Sequence, residues 1–290
     1  MFQGSYVALV TPFKNGKVDY EAVERLIEFH LEKGTAGFVP VGTTGESPTL
    51  SMREHIEFIE FVVKTSAGRL PVIAGTGANS TSEAIELTVA AAKAGADATL
   101  QVSPYYNKPE PEGMYRHFRA IADAAKLPMI LYNVPSRTGR QIALDTIVRL
   151  ADACKEVVGL KAADGSTHSV TLVRLKTDLD ILSGDDSMTL PLIACGAKGV
   201  ISVVANFIPR DVADMVGAAL AGDYDDALER HLKMFPLFRA AFVETNPIPV
   251  KAAMEMLDLC SAELRLPLSP MQQAHREILE KALRDYGLLK

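Results

Sequence analysis

The feature that most limits what this chain can fold into is an alternation. Short β-branched and apolar runs trade places with amphipathic helical stretches from the first residues to about residue 222. Strand-like runs fall at residues 6–10, 37–41, 71–74, 98–102, 129–133, 157–161, 181–183 and 200–203. Each is followed by a stretch with helical spacing, at 20–33, 52–65, 82–93, 111–125, 144–153, 167–175, 188–194 and 209–220. Eight β-α units are the number that closes a parallel barrel, so the spacing predicts an α/β fold, a (β/α)8 TIM barrel, over residues 1–222. A doubly wound open sheet is the competing arrangement. Residues 223–290 contain no convincing strand and read as helices at 224–241, 249–257 and 270–286, a C-terminal helical extension without a Gly/Ser-rich linker before it.

Composition narrows the function classes. The chain carries 30 Lys and Arg against 36 Asp and Glu, a net charge of −6, and no basic block. Nucleic acid and anionic membrane are therefore not expected partners. No apolar run reaches the ~18 residues a membrane span needs, and Met1-Phe2-Gln3-Gly4 lacks the basic start of a signal peptide. Cys154, Cys195 and Cys260 are odd in number, far apart and without metal spacing, which reads as reduced thiols in a cytoplasmic protein. The six histidines form no ligand cluster, so no metal site is expected.

A barrel predicts where its chemistry lies, at the C-terminal ends of the strands and in the loops that follow. Polar residues at those positions are Thr43 and Thr44 after the second strand, Tyr105 and Tyr106 after the fourth, Tyr132 and Arg137 at the fifth, Lys161 at the sixth, and Asp185 and Asp186 after the seventh. Lys161 ends the run Val157-Val158-Gly159-Leu160-Lys161. Period-2 alternation puts Val157, Gly159 and Lys161 on one face, with the glycine opening space beneath the lysine. Burial strips an ammonium ion of hydration, and lysines so placed drop from a pKa of ~10.4 towards ~7 to 8. The resulting free amine attacks ketones and aldehydes to form a Schiff base. The plain alternative is a strand-end lysine reaching out to solvent. Gly42-Thr43-Thr44-Gly45 offers hydroxyls and free backbone N–H groups for a small carboxylate, Arg137 a bidentate fork for another, and Tyr132 a phenol for proton relay. Each has a structural alternative: an ordinary turn, a solvated arginine, a satisfied core tyrosine. Gly75-Thr76-Gly77-Ala78-Asn79-Ser80 superficially suggests a dinucleotide loop, but the third glycine and the distant acid are missing.

Val41-Gly42-Thr43-Thr44-Gly45-Glu46-Ser47, Pro104-Tyr105-Tyr106-Asn107, Tyr132-Asn133-Val134-Pro135-Ser136-Arg137-Thr138-Gly139, Gly159-Leu160-Lys161, Ser183-Gly184-Asp185-Asp186 and Asn246-Pro247-Ile248-Pro249-Val250-Lys251 occur in one order over essentially the whole chain. In that order they resemble the dihydrodipicolinate synthase family, part of the pyruvate-dependent class I aldolases that include N-acetylneuraminate lyase. The resemblance implies a cofactor-free and metal-free condensation of pyruvate with L-aspartate 4-semialdehyde to 4-hydroxy-tetrahydrodipicolinate, in lysine and diaminopimelate biosynthesis. It implies Lys161 as the Schiff-base lysine and Thr43, Tyr132 and Tyr106 as a proton relay, with Tyr106 reaching in from a neighbouring subunit of a homotetramer, a dimer of dimers. It implies Thr44 at the pyruvate carboxylate, Arg137 at the semialdehyde carboxylate, and the carbonyl of Ile201 facing the lysine.

A lysine-feedback site is matched by Ser47, His55, Asn79, Glu83 and Tyr105. Pro48 stands where alanine is frequent and Met52 where lysine-sensitive bacterial forms often have histidine, so inhibition by L-lysine is left open. Ala162 stands where the family usually has glutamate, which motivates two alternatives. One is a sugar-acid, N-acetylneuraminate or 4-hydroxy-2-oxoglutarate aldolase; the other is a catalytically silent binding or regulatory barrel.

Overall fold

The computed structural model describes residues 1–290. Eight parallel strands follow one another around a ring: β1 Gly4–Ala8, β2 Gly37–Val39, β3 Ile73–Gly75, β4 Ala98–Val102, β5 Met129–Asn133, β6 Val157–Ala162, β7 Asp180–Ser183 and β8 Gly199–Ser202. Pairing runs β2-β1-β8-β7-β6-β5-β4-β3, and a parallel bridge between Phe38 and Val72 joins the two ends. The Phe38 N–H to Pro71 O bond and the Gly75 N–H to Pro40 O bond, both 2.9 Å, complete that seam. The open-sheet alternative is thereby excluded, and the predicted (β/α)8 barrel is the observed fold.

Alternation along the strands sorts side chains into two layers. Tyr6, Ala8, Val39, Ile73, Ala98, Leu100, Ile130, Tyr132, Leu182 and Ile201 fill the barrel interior. Val7, Phe38, Ala74, Leu131, Leu160 and Val200 face outward and pack against the helices. The helices begin where capping chemistry predicts. Ser51 accepts from the Glu54 N–H and Glu54 reaches back to Ser51, a capping box that starts Met52–Ser66. Pro111 and Pro209 occupy first-turn positions, where a missing N–H costs nothing. At the N-terminal end of the barrel, Asp180 accepts from the Met1 amine and the Phe2 N–H and pairs with Lys198, sealing the base.

Two strand-level expectations need correction. Val157 does not share a face with Lys161: Met129 pairs with Val157 but Ile130 with Gly159, so Val158 is an extra residue. This bulge turns Val158 towards the interior cluster and leaves Val157 outside. Nor does Gly159 make room for the lysine, because a side chain there would meet Asp180 O and Ile130. The periodicity reading also passed over a hairpin, Phe13–Lys14 against Lys17–Val18, whose Asn15-Gly16 turn has both residues at positive φ.

The C-terminal helices are Tyr224–Ala240, Ile248–Met256 and Gln273–Tyr286. Their apolar faces, including Phe238, Met254, Leu279 and Leu283, belong to the same core as the outer face of the barrel. Residues 257–272 are not helical apart from short turns.

One buried group fixes a pH response. His30 on Tyr20–Leu31 is fully buried, its Nδ1 lies 3.0 Å from Thr35 Oγ1, and its Nε2 has no partner. Burial drives its pKa down to about 3. A neutral histidine of this kind contributes stability that is complete above ~6.5 and lost as pH falls towards its folded value. At pH 5 the loss from this one residue is about 2 kcal/mol. Urea unfolding of His30→Gln at pH 7 and pH 5 should show a pH difference smaller by about that amount. An unchanged difference would assign the acid sensitivity elsewhere.

Candidate active site

The C-terminal ends of the strands open into a cavity of about 300 Å³. Its wall includes Thr43 from the loop after β2, Tyr132 from β5, Arg137 from the loop after it, and Tyr105 from the loop after β4. Five further wall residues, Thr245, Asn246, Pro247, Pro267 and Leu268, come from the C-terminal extension. The extension is therefore part of the cavity.

Lys161 lies at the level of Tyr132 on the neighbouring strand, the two being register partners. Only 6% of Lys161 is exposed, and its Nζ stands 4.3 Å from the centre of the Tyr132 ring, itself 6% exposed. An ammonium or protonated imine at this place faces the negative side of an aromatic ring. The buried carboxylates with amine partners are Glu46, held by Lys251, Asp180, held by Met1 and Lys198, and Glu156, 3.8 Å from Lys126; none pairs with Lys161. Room for the lysine comes from Gly184 after β7, where a Cβ would stand 3.0 Å from Lys161 Cε and 2.6 Å from the Ala163 Cβ. The glycine that faces the lysine is thus Gly184 and not Gly159, a relation set by the register across β6 and β7 and not by alternation along one strand.

Thr44 is buried, and its hydroxyl accepts from Asn246 Nδ2 at 3.0 Å. Arg137 follows β5 on a single helical turn, Pro135–Thr138, and donates to the Asn246 carbonyl at 3.2 Å while its guanidinium remains solvent-accessible. Asn246 thus joins the two residues expected at substrate carboxylates. Its motif was visible in the sequence, but the absence of a strand near it gave no reason to place it at the mouth. Ile201 is buried on the interior face of β8.

Tyr106 stands apart from the others because it is 90% exposed. Its loop is nevertheless pinned, by Asn79 Nδ2 to Tyr105 O at 3.2 Å and Asn107 Nδ2 to Asn79 O at 2.8 Å, with Tyr106 at φ 71°.

Asp185 and Asp186, the acids after β7, serve the fold. Asp185 caps the turn at Ser187. Asp186 is buried, accepts from the Ser202 hydroxyl and from the N–H groups of Val203 and Val204, and burial raises its pKa to about 6.

The residues matched to a lysine-feedback site do not form one pocket within this chain. Ser47, Pro48 and Tyr105 line the main cavity, Asn79 is engaged with the Tyr105 loop, Glu83 is exposed, and His55 is buried with Nε2 on Gly75 O at 2.7 Å. Ala162 faces outward between β6 and the helices, away from the mouth. Nearby, Asp164 accepts from Asn133 Nδ2 at 3.4 Å and from Gln141 Nε2 at 3.2 Å. No three His, Cys, Asp or Glu side chains stand together as metal ligands.

Fold and site together define a class: a closed (β/α)8 barrel with a buried lysine beneath a tyrosine at its C-terminal mouth, the plan of lyases that work through a lysine imine. Comparison with known proteins narrows the class. The profile of the dihydrodipicolinate synthetase family matches residues 1–286. A 4-hydroxy-tetrahydrodipicolinate synthase of Pelobacter propionicus is 52% identical over 291 residues, covering 100% of both chains. The dihydrodipicolinate synthase of Acinetobacter baumannii, solved with pyruvate, superposes with a TM-score of 0.97 at 47% identity over 100% of both chains. That of Cyanidioschyzon merolae, solved with lysine bound, gives 0.97 at 43% identity over 99% of both. The chain belongs to the dihydrodipicolinate synthetase family.

Proposed function

We infer that this protein condenses pyruvate with L-aspartate 4-semialdehyde to give 4-hydroxy-tetrahydrodipicolinate, as a Schiff-base-forming lyase of lysine and diaminopimelate biosynthesis. The observation that carries this reading is Lys161, buried against the Tyr132 ring with no carboxylate beside it, in a chain half identical to named synthases over its whole length. The Lys161 amine adds to the keto carbon of pyruvate and water leaves. Loss of a methyl proton gives an enamine, with the imine nitrogen accepting the electron pair. The enamine carbon attacks the aldehyde, whose oxygen takes up a proton. The amino group of the semialdehyde then displaces the lysine amine as the ring closes. The lysine itself supplies the electron sink, so no external cofactor enters this scheme.

Thr43 and Tyr132 are the proposed relay members within one chain, and Tyr106 is the third, donated by a second copy. A large aromatic side chain held fully outward on a pinned loop is the form such a donated residue takes. The exposed apolar side chains Leu228, Leu232 and Phe235, spaced along one helix, are compatible with a further contact between dimers. A homotetramer in the cytoplasm is the proposed state, and a single-chain mass in sedimentation would exclude donation of Tyr106. Within each copy, residues 1–222 form the barrel and residues 223–290 complete its mouth. Thr44 and Ile201 would hold pyruvate and its imine, and Arg137 the semialdehyde carboxylate. L-Lysine is proposed as a ligand of the Ser47, Pro48, His55, Asn79, Glu83 and Tyr105 surface, again formed between copies.

The direct test is turnover of purified protein with pyruvate and aspartate semialdehyde, beside N-acetylneuraminate and keto-deoxy-gluconate, with and without L-lysine. Condensation confined to the semialdehyde supports the reading. Turnover confined to a sugar acid would replace it with the related aldolase.

A further inference from the structure

The proposed chemistry leaves unused a buried charge pair at the cavity wall, where Glu46 is a lining residue and Lys251 stands behind it. Lys251 of the helix Ile248–Met256 and Glu46 of the loop after β2 have no exposed side-chain surface, and their charged atoms are 2.8 Å apart. Lys251 Nζ also donates to Thr11 O at 3.0 Å and to Glu263 O, so all three of its N–H bonds are used, and it lies 4.4 Å from the centre of the Phe13 ring. Glu46 Oε2 accepts from the Arg265 N–H at 3.2 Å. The Arg265 guanidinium grips both oxygens of Glu54 and the Thr49 carbonyl.

What this network holds is an unusual backbone. Glu46 has φ 55° and ψ 35°, and Val41, five residues earlier, has φ 54°. Both are left-handed without being glycine, and for a β-branched valine that is a genuine outlier. Strained residues persist only where their surroundings over-determine them. The two bracket Gly42-Thr43-Thr44-Gly45, the stretch that brings Thr43 to the cavity and Thr44 to Asn246. From outside, Gly75 lets β3 approach so closely that a Cβ there would stand 2.5 Å from the Val41 carbonyl. From the other end, Thr11 donates to the Gly45 carbonyl at 2.7 Å and offers its own carbonyl to Lys251. A buried ion pair of this kind is a poor source of stability compared with two apolar side chains of the same volume, and its best-attested use is to fix register.

We propose that Lys251 is a positioning residue, acting through Glu46 to hold the left-handed bracket that presents Thr43 and Thr44 to the site. The C-terminal helix thereby sets the geometry of a loop on the far side of the sequence. This rests on the reading of Thr43 as a relay member. Lys251 does not itself line the cavity and reaches its wall only through Glu46, so its effect is on rate through the loop.

The test uses the full chain with four proteins: the parent, Lys251→Met, the double variant Glu46→Gln with Lys251→Met, and Thr43→Val as a reference. Lys251→Met leaves an unpaired buried carboxylate and can fail to fold; the double variant removes both charges of the pair and answers in its place. For each, thermal unfolding is measured beside exchange of the pyruvate methyl protons in D2O, which reads enamine formation alone. The double variant should unfold cooperatively near the parent temperature, still be trapped by borohydride at saturating pyruvate, and exchange protons at least tenfold more slowly. A folded double variant exchanging within twofold of the parent, while Thr43→Val is slow, overturns the positioning role alone. Should Thr43→Val itself exchange at the parent rate, the relay reading fails and this proposal falls with it.

Discussion

With Lys161 replaced by alanine, borohydride and pyruvate together should leave no pyruvate-derived mass on the chain, and condensation should fall by on the order of 10⁴-fold or more. The size follows from what the amine supplies. Without a covalent imine, the methyl proton of pyruvate must be removed from a ketone that has no cationic nitrogen to accept the electrons. No other amine can substitute. Lys251, the other buried lysine, has its three donors committed. The surroundings of Lys161 also predict that the variant folds. Its neighbours are the Tyr132 ring and the open space at Gly184, with no buried carboxylate left unpaired by the change. Cooperative unfolding of Lys161→Ala alongside lost trapping would separate chemistry from stability. A residual adduct located by peptide mapping on another lysine would move the nucleophile there.

Much of this arrangement was legible in the sequence because it depends on local periodicity. The eight strand runs and the helices between them appear within two residues of their observed ends, since each buries an apolar face whose spacing is written in a short window. Lys161 and Tyr132 were legible for the same reason: each is a polar side chain at the end of an otherwise apolar run. What was not legible depends on how distant segments meet. The bulge at Val158 can be seen only against β5, and the role of Gly184 only across the β6–β7 seam. Asn246, in the turn before the helix Ile248–Met256, and Lys251, on that helix, lie some 200 residues from the loop they hold, in sequence with no feature that distinguishes one barrel rim from the other. Tyr106 is a different case. Its motif was recognisable, but a single chain leaves its side chain in solvent.

Tyr132→Phe is the second large effect, and it separates the ring from the phenol. Lys161 Nζ faces the ring at 4.3 Å, and phenylalanine keeps that face, so the support given to a cationic nitrogen survives the substitution. Only the hydroxyl is lost. If the hydroxyl relays protons, condensation should slow by ~10² to 10³-fold, the range of a general acid–base group, while pyruvate is still trapped on Lys161 at saturation. Exchange of the pyruvate methyl protons in D2O should slow in the same proportion, because enamine formation is itself a proton transfer. Members of one relay act as a unit, so Thr43→Val combined with Tyr132→Phe should be little slower than the worse of the two alone. Losses that multiply in the double variant would mean two independent roles. A Tyr132→Phe enzyme within threefold of the parent would leave the tyrosine as a wall of the pocket, its ring sufficient and its oxygen idle.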